Sequence, residues 1–329
     1  MNFHRATQWC AMALAALLSI NVSAQSAPND PPLLAVKVDG NSPETFLRNF
    51  HQFETWLGRP VDAVLAYTGI AGWKDYEGSV EWGMGIWRQV DRQVLWSIPL
   101  IPATVDGKRK ATLKEAGEGK YNAHYRAVAE KLAKYRPQDA VIYVRTGWEF
   151  NGGWFAWTVH GGKGDDFIAA FRQFVTTFRS VSPRFRFDWC PAWGDQIWEK
   201  GKPRSLADFY PGDDYVDVIG LDVYDEVKYT KIADPKKRWK FALTRGHGLN
   251  WHRRFAQQHG KPMAYPEWGV GDAGDDPYFV EKMYEWIRDN DVVYHVYWNS
   301  NSGYPGKLST GKFPEAGAKY RELFGQPRR

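Results

Sequence analysis

Short apolar runs rich in β-branched residues alternate with helical patterns along most of the chain. Most of these runs are nearly continuous, which is typical of parallel strands buried on both faces. Eight of them predict strands: 33–38 (LLAVKV), 62–68 (DAVLAYT), 93–101 (QVLWSIPLI), 140–148 (AVIYVRTGW), 185–193 (FRFDWCPAW), 217–224 (DVIGLDVY), 262–269 (PMAYPEWG) and 292–299 (VVYHVYWN).

Amphipathic stretches lie between the predicted strands. The first begins at Ser42, which suits the N-cap, and Pro43, which suits the first helical position. Apolar residues then recur every three or four positions, the spacing of a helix that faces a core. Three such stripes predict core-facing helices: Phe46, Phe50, Phe53 and Leu57; Tyr121, Tyr125, Val128 and Leu132; and Phe167, Phe171, Phe174 and Phe178, which follow a capping candidate at Asp165 or Asp166.

Strand–helix alternation repeated eight times over about 300 residues predicts a (β/α)8 TIM barrel of the α/β class. A doubly wound open sheet is the alternative, but no Gly-rich phosphate-binding fingerprint follows the first strands. The chain has no short internal repeat and no low-complexity linker. We therefore expect a single barrel domain over residues 25–329.

The first 24 residues have the layout of a secretory signal peptide. Arg5 precedes an apolar run of ten residues, and Val22 and Ala24 supply the small residues of a cleavage site. The run is too short to span a bilayer. This pattern predicts a secreted or periplasmic protein that is cleaved near Ala24. Cys190 would then be the only cysteine, so no disulfide within the chain is expected.

Charge and composition narrow the partners of the protein. The net charge of +5 is mild and dispersed, which argues against nucleic acid or a membrane surface as a partner. The 17 Trp, 17 Tyr and 18 Phe residues are enough both to fill a core and to stack on sugar rings, and composition alone leaves that choice open. We expect a monomer that needs no cofactor. A metal site is not expected, because the histidines lack metal-binding spacing.

Acids, amides and tryptophans gather where the predicted strands end. In a (β/α)8 barrel, functional residues occupy the carboxyl ends of the strands and the loops that follow. The candidates at this rim are Glu149, Asn151, Trp193, Asp222, Tyr224, Glu267, Trp268 and Trp298.

Glu149 follows the fourth predicted strand and Glu267 lies at the end of the seventh, so the two lie across the barrel mouth from each other. Two carboxyl groups about 5–5.5 Å apart perform retaining glycoside hydrolysis. The aromatic residues around Glu149 would raise its pKa, as a general acid requires. Arg145 and Tyr224 are candidates to keep Glu267 ionised.

Structural interpretations compete with these roles. A single Glu at a strand end is more often a solvated rim residue, although two such residues flanked by Trp weaken that interpretation. Asp222 fits a buried acid that holds loop backbone as well as it fits a functional acid. Asp188 is interpreted as support for the barrel interior, and His295 as a core histidine. The absence of S-x-x-K and G-x-S-x-G motifs leaves a serine nucleophile without support.

Three segments resemble the family 26 glycoside hydrolases, a group of retaining clan A enzymes that includes β-mannanases, lichenases and β-1,3-xylanases. They are RTGWEFNGGWFAW (145–157), FYPGDDYVDVIGLDVYD (209–225) and KPMAYPEWG (261–269), in the order that the family has them. The resemblance implies that Glu149 is the acid/base and Glu267 the nucleophile. It also implies that Tyr224 is a hydrogen-bond partner of the nucleophile, that Trp298 is a floor for the sugar, and that Arg145 and Asn151 order the site.

One position departs from the family pattern. The family usually has His directly before the acid/base glutamate, whereas this chain has Trp148. The difference implies that the sugar recognised has changed while catalysis survives. We expect substrate contacts from the rim set Trp148, Asn151, Trp154, Trp157, Trp193, Asp222, Tyr224, Trp268 and Trp298, and an extended groove that also includes Trp73, Trp82 and Trp87.

These features favour an exported retaining endo-β-glycanase that acts on a polysaccharide or oligosaccharide. Candidate substrates are a mannan-like polymer, a β-glucan, a xylan or a bacterial exopolysaccharide. Two alternatives stay open at this point. One is a barrel that binds polysaccharide without cleaving it, and the other is a lyase or transglycosylase that uses the same cleft.

Overall fold

Eight parallel strand positions close into a barrel in the computed structural model, which describes residues 31–194, 197–199 and 201–326. The strands are β1 (Leu33–Val38), β2 (Ala63–Tyr67), β3 (Gln93–Ser97), β4 (Ile142–Arg145), β5 (Phe185–Trp189), β6 (Ile197–Glu199), β7 (Lys202–Arg204), β8 (Val218–Gly220), β9 (Val223–Tyr224), β10 (Met263–Gly269) and β11 (Val292–Asn299). Strands β6 and β7 form a separate antiparallel hairpin.

The barrel closes where the last strand meets the first. All six residues of β1 pair with β11, and β11 pairs with β10 on its other side. The sixth barrel position is occupied by two short strands, because β8 and β9 both pair with β10 on either side of a break at Leu221 and Asp222. The predicted TIM barrel is confirmed.

The surrounding helices are α1 (Pro43–Leu57), α2 (Trp73–Trp87), α3 (Leu113–Gly117), α4 (Asn122–Tyr135), α5 (Gly164–Arg179), α6 (Val227–Thr230), α7 (Pro235–Thr244), α8 (Leu249–Gln258), α9 (Pro277–Arg288) and α10 (Pro314–Phe324). Short 3₁₀ turns cover Leu206–Phe209, Gly271–Ala273 and Leu308–Thr310. Among the described helices, none has the length and apolar character needed to cross a bilayer.

The capping prediction for α1 is confirmed, whereas that for α5 is wrong. Ser42 caps α1, with its hydroxyl accepting from the Thr45 amide. The prediction for α5 was wrong, because its N-cap is Lys163 without a side-chain bond. Asp165 and Asp166 instead lie in the first turn, where negative charge complements the helix dipole. The four phenylalanines of the α5 stripe are fully buried, as expected.

Strands β3, β4 and β5 end earlier than predicted. Their apolar runs continue because loop residues just beyond the strands, such as Ile98, Leu100 and Trp148, are also buried. The chain leaves the ladder after Arg145, and Gly147 takes a left-handed φ of 60°. Apolar periodicity reports burial, so it overestimates strands whose following loop is buried at the barrel mouth.

Aliphatic side chains and the Tyr294 ring fill the barrel interior, and Asp188 lies among them. Asp188 is fully buried and accepts a hydrogen bond from the Tyr294 hydroxyl. Burial raises the pKa of Asp188 to about 7, although the Tyr294 bond opposes the shift. The interpretation of Asp188 as support for the interior agrees with this position. His295 lies on the outer side of β11 and accepts from the Trp268 indole at 3.2 Å.

Candidate active site

Arg145 lies at the centre of a buried network under the barrel mouth. It is the last residue of β4, and its side chain is 1% exposed. Its Nη1 donates to both carboxylate oxygens of Asp222 at 2.8 Å, and its Nη2 donates to Glu267 Oε1 at 2.6 Å. Its Nε donates to the Ser97 hydroxyl at 3.0 Å. One fixed guanidinium therefore orients two acids, as predicted for a residue that orders the site.

Glu267 accepts hydrogen bonds at both of its oxygens. Tyr67 donates its hydroxyl to Oε1, which also receives the bond from Arg145, and Tyr224 donates to Oε2 at 2.8 Å. These donors fix the carboxyl group in one orientation and compensate its negative charge. The predicted contacts from Arg145 and Tyr224 are therefore present.

Glu149 is held in an unusual backbone conformation. Its φ of 50° is left-handed, which a non-glycine residue adopts at a cost of about 1–2 kcal/mol. Its amide donates to the Cys190 carbonyl at 2.7 Å, and its carbonyl accepts from the Gly152 amide at 2.9 Å. Glu149 follows β4 by four residues and is not the end of the strand. The tight turn directs a partly exposed carboxyl group to the mouth.

The carboxyl group of Glu149 is shifted towards its protonated form. Burial is the largest cause, followed by the negative charge of Glu267, and together they raise its pKa to about 8. The Trp154 indole opposes this shift, because its N–H donates to Oε2 at 2.8 Å and favours the carboxylate. The direction agrees with the predicted proton donor.

Three acids converge in the mouth. Glu149, Asp222 and Glu267 each place one oxygen within 4.8 Å of the others. Among the described residues, this group is close enough to share a cation, but Arg145 already supplies positive charge to Asp222 and Glu267. Oxygens of Glu149 and Glu267 this close are compatible with the carboxyl spacing that retaining glycosidases use.

Asp222 takes a structural position in this network. It is 1% exposed, pairs with Arg145 through both oxygens, and accepts from the Cys190 thiol at 3.3 Å. Burial raises the pKa of Asp222, and the Arg145 charge opposes that effect. The assignment of Asp222 as a substrate contact is therefore corrected, since its oxygens are already bound and face away from solvent.

Four of the predicted substrate-binding tryptophans are buried, namely Trp148, Trp157, Trp193 and Trp268. Trp268 is fully buried and packs beside His295 and Phe324, on the opposite side of β10 from Glu267, because successive side chains alternate along a strand. Trp157 is 1% exposed and lies 4.6 Å from Trp148, ring centre to ring centre. Neither ring is available to a sugar, so both assignments are corrected.

Trp148 is 3% exposed and supports the site from beneath. Its ring centre lies 5.2 Å from the Arg145 guanidinium and 5.7 Å from the Tyr67 ring. Cation–π attraction of this kind holds a guanidinium in place. The geometry corrects the expected direct sugar contact and gives Trp148 a packing role against the residues that hold Glu267.

The other predicted rim residues are three tryptophans of different exposure and Asn151, which connects two loops. Trp154 is 63% exposed, and Trp298 is partly exposed beside Tyr67 and Tyr224. Trp193 is 8% exposed. Asn151 uses its side-chain amide to donate to the Ala192 carbonyl and to accept from the Ala192 amide, which ties the loop after β4 to the loop after β5. Asn151 therefore ties two rim loops together, and both its ordering of the site and its substrate contact stay predictions.

Tyr67, Ser97 and Lys37 contribute to the mouth and were not among the sequence candidates. Each lies at or next to the carboxyl end of its strand, the position that selected the other candidates. The Lys37 ammonium lies 4.4 Å from the centre of the Trp298 ring and donates to Asp39 at 2.6 Å. The same rule applied to the first two predicted strands would have identified Lys37 and Tyr67, whereas Ser97 lies four residues before the predicted end of the third strand.

A groove of about 1030 Å³ extends from Tyr67 along the start of α2 and the loop after β3. Trp82, which is 45% exposed, and Trp73 line it, as expected for an extended groove. Trp87 does not, because it is buried beside Phe50 in the core.

Comparison with known proteins finds similarity to one family of glycoside hydrolases. The profile of glycosyl hydrolase family 26 matches residues 93–241, a segment that contains Glu149, Asp222 and Tyr224 and ends before Glu267. Over this segment, which is less than half of the chain, the protein is similar to family 26. Its fold resembles that of an endo-β-1,4-mannanase double mutant from Cellulomonas fimi, with a TM-score of 0.65, 18% identity, and coverage of 89% of this chain and 71% of the other.

The curated relatives of the chain are larger proteins matched over part of their length. Endoglucanase H of Acetivibrio thermocellus is 25% identical over 223 residues, which are 63% of this chain and 22% of the relative. Mannan endo-1,4-β-mannosidase of Bacillus subtilis is 27% identical over 156 residues, which are 44% of this chain and 39% of the relative. The chain thus spans less than half the length of each.

Proposed function

We propose that the protein is an exported retaining endo-β-glycanase. One observation carries the proposal: two carboxyl groups of opposite character, Glu149 and Glu267, approach within 4.8 Å at the barrel mouth. Glu149 is shifted towards its acid form, and Glu267 receives hydrogen bonds from Arg145 and two tyrosines. Such a difference between neighbouring carboxyl groups assigns acid and nucleophile.

The reaction takes two displacements. Glu267 attacks the anomeric carbon as a carboxylate, and Glu149 gives its proton to the glycosidic oxygen as the bond to the leaving sugar breaks. The glycosyl group is then an ester of Glu267. In the second step Glu149, now a carboxylate, takes a proton from water while that water's oxygen attacks the anomeric carbon. This step releases Glu267 and returns the proton to Glu149.

Endo action is supported by the groove beside the mouth. It begins at Tyr67, which donates a hydrogen bond to Glu267, and it presents the exposed face of Trp82 farther along. Sugar rings stack on such faces, and a cleft that continues beyond the catalytic acids accommodates several residues of a polymer. The groove therefore favours internal cleavage over removal of single terminal sugars.

The substrate class is a β-linked polysaccharide. Names of the similar proteins include glucanase, mannanase and β-1,3-xylanase activities, so these polymers form the first panel, together with bacterial exopolysaccharide. Trp148 replaces the usual histidine of the family and packs under Arg145, which changes the floor of the site next to Glu149. We therefore expect the preferred sugar or linkage to differ from that of mannan-specific members. Export rests on the signal-like pattern of residues 1–24, which lie outside the described residues.

The test is the release of reducing ends from the polysaccharide panel. Wild type should cleave at least one polymer to oligosaccharides, while Glu149→Gln and Glu267→Gln should lose activity by orders of magnitude and still bind the polymer. Tight binding without cleavage by wild type would support the binding-barrel alternative. An unsaturated product that absorbs ultraviolet light would indicate a lyase, and longer products at high substrate concentration would indicate transglycosylation.

A further inference from the structure

Glu226 and Tyr304 join two loops across the mouth, next to Tyr224. Glu226 directly precedes α6 in the loop after β9, and Tyr304 lies in the loop after β11. The Tyr304 hydroxyl donates to Glu226 Oε1 at 2.6 Å. Both side chains are partly exposed, so this bond lies at the rim rather than in the core.

The Tyr304 ring stacks on the ring of Tyr224. The two ring centres are 4.3 Å apart and the planes differ by 16°. Tyr224 in turn donates its hydroxyl to Glu267 Oε2 at 2.8 Å. A parallel ring at this distance restricts the tilt of the Tyr224 ring and, with it, the direction of the hydroxyl group.

The rest of the loop after β11 is also held firmly. The Gly306 amide donates to the Ser300 carbonyl at 2.8 Å, and the Trp298 indole donates to the Ser302 carbonyl at 3.1 Å. A Cβ on Gly306 would lie 2.6 Å from the Trp298 carbonyl oxygen, so the close approach requires glycine. The loop thus presents Tyr304 from a fixed base, and Glu226 fixes the outer end of its ring.

We propose that Glu226 and Tyr304 are a positioning pair for the nucleophile: Glu226 holds the Tyr304 ring against Tyr224, and Tyr224 holds one oxygen of Glu267. The inference rests on the proposed function. Neither residue touches the reacting atoms in this arrangement. Their effect reaches the reaction through the orientation of Glu267, which limits both displacement steps.

The charged surroundings of Glu226 provide a second readout. Burial raises the pKa of Glu226, the Tyr304 hydroxyl and the Trp193 indole donate hydrogen bonds to it, and the charges of Asp272 and Arg245 act on it. Its negative charge in turn contributes to the raised pKa of Glu149. Neutralising residue 226 should therefore move the alkaline limb of the pH–rate profile, which a purely structural role would leave in place.

The experiment compares kcat, KM and pH profiles of wild type, Tyr304→Phe, Tyr304→Ala, Glu226→Ala and Glu226→Gln on the polymer that wild type cleaves best. Tyr304→Ala and Glu226→Ala should lower kcat about tenfold or more with KM within about twofold, since ground-state binding is unchanged. Tyr304→Phe should lower it by a smaller factor, because the stack remains. Glu226→Gln still accepts the Tyr304 bond, so it should retain most of kcat while its alkaline limb shifts to lower pH.

The matched control is Tyr210→Phe, which removes a tyrosine hydroxyl that donates to Asp213 at 3.0 Å away from the mouth. Its kcat should equal that of wild type. If wild type is active and the alanine variants keep full kcat at a temperature where they are folded, the positioning role of Glu226 and Tyr304 is refuted while the proposed function stands. If wild type cleaves nothing, the proposed function fails and the inference falls with it.

Discussion

Trp154 should set the alkaline limit of activity through its bond to Glu149. With the pKa of Glu149 near 8, about nine-tenths of the enzyme carries the catalytic proton at pH 7, and about one-tenth carries it at pH 9. The Trp154 indole donates to this carboxyl group at 2.8 Å and favours its charged form. Trp154→Phe keeps an aromatic ring and removes only the donor.

The magnitude follows from the loss of one hydrogen bond to a charged, partly exposed acceptor. We take about 1 kcal/mol, below the usual range for buried charged groups, because Trp154 is 63% exposed. Since 1.36 kcal/mol corresponds to one pKa unit, the alkaline limb of kcat/KM should move up by about 0.7 units. At pH 9 the variant should therefore retain more of its maximal activity than wild type does.

The assay measures kcat/KM from pH 5 to pH 10 on an oligosaccharide and on an aryl glycoside whose leaving group departs without protonation. The alkaline limb should be present with the first substrate and absent with the second. Trp198→Phe is the control, because Trp198 is equally exposed but lies on the β6–β7 hairpin. An unchanged limb, or one that moves to lower pH in Trp154→Phe, would refute the reasoning.

Three further predictions concern stability and the Arg145 network. Because the pKa of Asp188 is raised to about 7, the folded state keeps a proton at pH values where the unfolded chain has lost it. The free energy of unfolding should therefore be highest below about pH 4 and should fall by up to about 4 kcal/mol as pH rises through about 7. Asp188→Asn should flatten this decline in urea unfolding at pH 5 and pH 8, and an equally steep decline would contradict it. Arg145→Met should lower the free energy of unfolding by about 3–5 kcal/mol, because it leaves two buried acids unpaired. Arg145→Lys should lower it by less but should also lower kcat, because an ammonium cannot reproduce the bidentate geometry. Equal kcat for Arg145→Lys and wild type would refute the role of that geometry. Ser42→Ala should lower stability by about 1 kcal/mol through loss of the α1 cap and leave kcat unchanged, so a stability equal to that of wild type would argue against the cap.

The fold was predictable from the sequence because the barrel strands are buried on both faces. Residues 33–38 and 292–299 were predicted to the residue, since Pro32 and Asp39 bound the first run and Asp291 and Ser300 bound the second. The hairpin β6–β7 and the short helices α3 and α6 were missed, because a few residues of mixed polarity carry no usable periodicity. The end of β4 was also missed, because burial continues into the turn that carries Glu149.

The pair of acids was predictable, but the roles of the tryptophans were not. Position at a strand end located Glu149 and Glu267, because parallel strands direct their ends to one rim. Whether a neighbouring tryptophan faces the mouth depends on the side of the strand and the path of the loop. Trp268 follows Glu267 directly and therefore points outward, and this alternation was available from the sequence. The burial of Trp148 under Arg145, and of Trp157 against Trp148, required the loop conformation.

The central claim is that Glu267 forms a covalent bond to the substrate while Glu149 handles the proton. An activated 2-deoxy-2-fluoro glycoside of the cleaved sugar slows the second displacement and traps the intermediate, which peptide mapping by mass spectrometry can locate. We predict one glycosyl adduct per chain, on the peptide that contains Glu267, and none in Glu267→Gln. An adduct on another residue, or products of inverted configuration without any adduct, would contradict the account.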